Sequence, residues 1–98
     1  MIGWGYFEKD TIGKQLVRAS DSVAANIVES QGRFHPKDVV NFLFMSRGSL
    51  KEVNFWIRRA FKRLIIKEDD YNNIIEEIDN LAPQLNAFIK IQEKRIKS

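Results

Sequence analysis

The stretch from Pro36 to Ile66 constrains the fold of this chain more than any other. Val39, Leu43, Ser46, Leu50, Val53, Ile57, Ala60 and Leu64 recur at alternating steps of four and three, the spacing of a helix packed nearly parallel to its neighbours. No strand carries that rhythm, because strand side chains alternate with a period of two. A helix of about 30 residues is about 45 Å long, longer than a compact globule of this size needs. The other segments must lie along it rather than cap it, which makes the architecture a bundle. A second stripe, Phe42, Met45 and Trp56 with Ser49 and Glu52 between them, widens the apolar face. A third is cationic: Arg47, Lys51, Arg58 and Lys62 fall within about 60° of one another at about 100° per residue.

The flanking segments read as two more helices. Met1 to Asp10 holds Gly3 and Gly5 among Trp4, Tyr6 and Phe7, and is read as an aromatic lead-in that plugs one end of the bundle. Asp10 or Thr11 then caps a helix to Gln31, since either side chain can accept a bond from an orphan first-turn N–H. Its inward face is Ile12, Leu16, Ala19, Val23, Ile27 and Ser30. A polar line runs beside it: Gln15, Arg18, Ser22, Asn26 and Glu29. Polar groups flanking a core persist when hydrogen-bonded, so this line is expected to pair with Arg47, Ser49 and Glu52. Gly32 suits a left-handed position after the helix, and Pro36 suits the first turn of the next. After a break at Ile65 to Lys67, the acids Glu68, Asp69 and Asp70 favour a helix start. Tyr71, Ile74, Ile78, Leu81, Leu85 and Phe88 carry the third helix to Ile96, with Ile75, Ala82 and Ile89 flanking and basic residues closing it. Pro83 removes one backbone donor inside that pattern, so a kink one turn upstream is expected rather than a break, since the apolar rhythm survives it. The reading is one all-α domain over residues 1–98, an up-down antiparallel helical bundle with helices over 11–31, 36–66 and 68–96.

Composition removes several classes of function. The chain has no Cys and a single His, His35, so neither a disulfide framework, a thiolate metal site nor a histidine cluster can form. No cofactor or metal is expected, and a reducing, cytoplasmic setting is. No apolar run reaches the about 18 residues that span a bilayer, and no secretory leader pattern follows Met1. An enzyme would need a nucleophile beside a base, paired carboxylates in a pocket, or a metal constellation. Ser22 and Glu29 sit two turns apart, and Glu76 and Glu77 lie in a solvated acidic run, so no catalytic residue is assigned.

Charge is unevenly distributed. From Arg33 to Lys67 nine Lys or Arg face only Asp38 and Glu52, giving +7, whereas Glu68 to Asn80 holds six acids and no base, giving −6. Two readings follow. Acidic and basic blocks pair within and between subunits, or the basic block presents a polyanion-binding surface.

The residues also carry a resemblance. Gln15, Arg18, Ser22, Asn26, Ile27, Glu29, Gly32 and Arg33, in KQLVRASDSVAANIVESQGR, are followed by Phe42, Arg47, Gly48, Ser49, Leu50 and Glu52 in NFLFMSRGSLKE. Together these signatures closely resemble the four-helix bundle proteins encoded in 23S ribosomal RNA intervening sequences. The likeness extends to the accessory protein of diversity-generating retroelements, a basic barrel that binds nucleic acid and a reverse transcriptase. The resemblance implies a non-enzymatic, ring-like homopentamer whose proposed role is RNA or DNA binding. Ser30 stands where the family usually has glycine, and the family carries a further helix before the aromatic lead-in. The chain is therefore read as a four-helix bundle lacking its first helix.

Two functional expectations result. In the first, Arg47, Lys51, Arg58, Arg59, Lys62 and Arg63 bind RNA or DNA phosphates, multiplied by oligomerisation, while Gln15, Arg18, Ser22, Asn26, Glu29, Arg47, Ser49 and Glu52 form a structural signature. Arg47 is claimed by both sets, through pairing with Glu29 or through a phosphate. In the second, the chain is a structural or adaptor oligomer that binds a protein partner, and its basic residues serve salt bridges between subunits.

Overall fold

The computed structural model describes the backbone of residues 2–97 and the side chains of residues 9–97. The chain is all-α: helices α1 (Ile2–Gln31), α2 (Pro36–Lys62) and α3 (Glu68–Lys97) account for its regular structure, with no strand among the described residues. Short connections make sequential neighbours antiparallel, and the side-chain contacts follow that direction. Val23 meets Ser46 and Ser22 meets Ser49 across α1 and α2. Phe61 meets Tyr71 near the second turn, and Arg47 meets Asn86 farther from it.

The α2 seam forms as its spacing predicts. Val39, Leu43, Ser46, Leu50, Val53, Ile57 and Ala60 are all buried, joined by Val40. From α1 come Ile12, Ala19, Val23 and Ser30, fully buried, and Leu16 and Ile27, half-buried. Leu85 and Ile89 of α3 complete the main cluster, with Ile78, Leu81 and Ala82 packed against it. The α3 seam thus passes through Ile89 and the buried Gln92, while Phe88 turns outward. Buried hydroxyls are satisfied locally: Ser46 donates to the Val23 carbonyl at 3.0 Å and Ser30 to the Ile27 carbonyl at 2.6 Å.

Three features depart from expectation. Helix α1 begins at Ile2 rather than near Thr11. Gly3 and Gly5 each cost a helix only about 1 kcal/mol relative to Ala, and Asp10 lies within the helix, paired with Lys14 at 3.1 Å. The proposed plug of Trp4, Tyr6 and Phe7 falls outside the described side chains. Gly32 has no positive φ, because α1 ends in tight turns from Glu29 to Gly32 and from Ser30 to Arg33 that any residue can make. Helix α2 stops at Lys62 instead of running to Ile66. The stop is a Schellman motif: the Leu64 N–H bonds the Phe61 carbonyl at 3.0 Å and the Ile65 N–H bonds the Ala60 carbonyl at 2.9 Å. Leu64 takes the left-handed position at φ 58° and is exposed, off the seam its spacing assigned to it. Helix α3, expected to continue past its proline, runs unbroken through Pro83. In that turn the Gln84 side chain donates to the Asn80 carbonyl at 3.1 Å.

Helix α2 lies between the other two. Each packs on α2, and among the described residues no Cα of α1 comes within 8 Å of one in α3. The result is an elongated body of 59 × 21 × 16 Å. An apolar groove of about 290 Å³ is left open between α1 and α3. Its floor is Leu50, Val53 and Ile57, and its walls include Leu16 and Val23 on one side and Ile74 and Ile78 on the other.

Candidate nucleic-acid interface

Because the seam of α2 is covered by α1 and α3, its opposite side faces outward along its whole length. At about 100° per residue, Lys37, Phe44, Lys51, Phe55, Arg58 and Lys62 share that side, and all six are exposed. Lys51, Arg58 and Lys62 of the expected cationic edge are brought together there, with Arg59 of the expected phosphate-binding set beside them. Arg63 lies just beyond, at the C-cap, where its N–H bonds the Arg59 carbonyl.

The local partners of Arg58 and Arg59 are neutral. The Arg58 Nε donates to Asn54 Oδ1 at 2.8 Å, and the Arg59 guanidinium lies 5.3 Å from the Phe55 ring centre. Among the described residues, no carboxylate reaches ion-pair distance of Lys51, Arg58, Arg59 or Lys62. The acidic run of α3 therefore does not neutralise this edge within one chain. Cations held by amide and aromatic partners keep their full charge available to an incoming anion, at a stabilisation of only about 0.5–1 kcal/mol for each exposed ring contact.

Arg47 sits differently. It is half-buried, donates to Asn86 Oδ1 of α3 at 3.2 Å, and lies 4.8 Å from the Phe44 ring centre. Glu29, its expected partner, instead pairs with Arg33 at 3.1 Å on the surface. The reason is register: Arg33 is one turn along from Glu29 and reaches it without crossing between helices. Arg33 also covers the Phe42 ring at 4.7 Å.

The rest of the polar line closes at one point. Ser49 donates to the Ser22 hydroxyl at 2.8 Å, and the Asn26 amide donates to the Ser22 carbonyl at 2.8 Å and its hydroxyl at 3.1 Å. Gln15 is half-buried, whereas Arg18 and Glu52 are exposed. The signature residues are thus split between one interhelical knot at Ser22, Asn26 and Ser49 and positions open to solvent.

Sequence reasoning passed over the aromatic residues among the cations. Phe44 and Phe55 are 39% and 49% exposed, and Phe61 stacks on Tyr71 of α3 with ring centres 4.3 Å apart and planes 16° apart. A signal was present. The steps from Phe44 to Lys51, Phe55 and Lys62 are seven, four and seven, which keeps all four on one face. No cluster of His, Cys, Asp or Glu able to hold a metal ion exists among the described residues. No helix among them is long and apolar enough to cross a membrane.

Comparison with curated proteins and with solved structures returned no match. A family model described as 23S rRNA-intervening sequence protein matches residues 3–87, a span that takes in both signatures, all of α2 and the groove. The chain belongs to the 23S rRNA-intervening sequence protein family.

Proposed function

We propose that this protein is a non-enzymatic, self-associating helical module that binds RNA or DNA through the outward face of α2. The observation that carries the reading is the row of exposed cations at Lys51, Arg58, Arg59 and Lys62, with no carboxylate partner among the described residues. Such a row attracts phosphates by charge and releases their counterions, with affinity that falls as salt rises. Self-association is supported by the open groove between α1 and α3, whose apolar floor and walls suit a helix of another copy. Repeating the row in each copy multiplies the phosphate contacts without new chemistry.

The test is to replace Lys51, Arg58, Arg59 and Lys62 together by Gln. All four side chains are exposed, so the fold is retained. RNA binding is expected to weaken, and the slope of log affinity against log salt to become shallower by about 3. Unchanged binding would remove α2 from the interface. It would favour the rival reading, an adaptor oligomer whose basic residues meet acidic residues of a neighbouring copy.

A further inference from the structure

The end of the basic row nearest α3 differs from the rest. Phe55, Arg58, Arg59, Phe61, Lys62 and Tyr71 line a cleft of about 460 Å³. The Phe61–Tyr71 stack ties the last turns of α2 to the first turn of α3 and brings two rings to the cleft wall. Phe55 stands on the other side, 49% exposed, with the Trp56 ring edge-on to it at 4.9 Å and 84°. That edge-on contact, with the Arg59 guanidinium 5.3 Å from the ring centre, holds the Phe55 ring while leaving part of its surface open. Three cations surround these rings, and the first-turn acids Glu68, Asp69 and Asp70 are not among the lining residues.

Helix α2 has no packing need for a half-exposed Phe55, since its seam is already filled on the opposite side. Flat rings flanked by unneutralised cations suit a ligand that is itself flat and apolar in one part and anionic in the next. An unpaired nucleotide has that make-up: its base stacks on a ring while its phosphate meets Arg58, Arg59 or Lys62. A duplex does not, because its bases are stacked inside and present only edges and backbone. We infer that this cleft captures an unpaired base, so that the protein prefers single-stranded nucleic acid to duplex. The inference rests on the nucleic-acid reading above and narrows it to a strand class.

The experiment is anisotropy titration of a fluorescein-labelled single-stranded RNA of mixed sequence and of the same RNA annealed to its complement, in one low-salt buffer. The wild type is expected to bind the single strand more tightly. Phe55→Ala is expected to weaken single-strand binding about tenfold, to leave duplex binding and the salt slope unchanged, and to be rescued by Phe55→Trp. Because Phe55 lies outside the core cluster, circular dichroism should show the helical content intact. Equal binding of the two forms, or a Phe55→Ala variant that loses both alike or neither, overturns base stacking while the electrostatic reading stands. Absence of binding to either form overturns both.

Discussion

Leu64 sits where α2 has to stop, with φ at 58° and 89% of its surface exposed. A branched side chain in the left-handed region costs about 1–2 kcal/mol, and here no burial repays it. Leu64→Gly is expected to raise stability by about 0.5–1 kcal/mol, the remainder being offset by the greater freedom of glycine in the unfolded chain. Chemical denaturation measures this, and a loss of stability would contradict the strain. The same residue shows why the stop was illegible. Leu64 continues the rhythm of four and three, and no Gly, Asn or Pro marks the end of the helix, so the sequence points onward to Ile66. Glu29 was illegible for another reason: its signature position suggests a partner across the bundle, yet Arg33 one turn away is nearer. An exposed pair of this kind contributes about 0.3–0.5 kcal/mol. Glu29→Ala is accordingly expected to shift the unfolding free energy by no more than about 0.5 kcal/mol. A shift several times larger would mean that Glu29 is buried against another copy.

Among the elements, α2 was the most legible, because seven of its eight expected seam positions are among the eight residues that the fold buries. Buried on one side along its full length, it can show only its opposite face to solvent, and the cations fall on that face by periodicity alone. The start of α1 was less legible, since paired glycines and aromatics read as a loop when local propensity is the only guide. In the fold the segment simply continues the helix. Helix α3 carries a testable burden at Pro83, which is exposed within the helix and lacks the backbone donor its turn requires. Proline costs a helix interior about 3 kcal/mol relative to alanine. Pro83→Ala should therefore raise the stability by about 1–3 kcal/mol, read as a higher denaturation midpoint. No gain would mean that an assembly contact already compensates for the Asp79 carbonyl, which Pro83 leaves without its donor.

At the scale of the whole molecule, the arrangement of two helices on either side of α2 leaves the apolar groove open to solvent. The resemblance implied a bundle short of one helix, and so an uncovered apolar face, but gave no means of locating it. Its place depends on α1 and α3 staying apart, a tertiary fact that no periodicity encodes. If the groove is covered by a second copy, Ile74→Glu on its wall should reduce the mass in solution without unfolding the chain. Light scattering beside circular dichroism checks this, and an unchanged oligomer would place the contact elsewhere. The central claim, that a row of cations on α2 binds polyanions, is tested most directly by the salt dependence of RNA binding, with mass recorded in the same buffer. The account predicts binding at low salt by an oligomer, with log affinity falling linearly and steeply as log salt rises. Absence of binding at low salt, or affinity indifferent to salt, would contradict it.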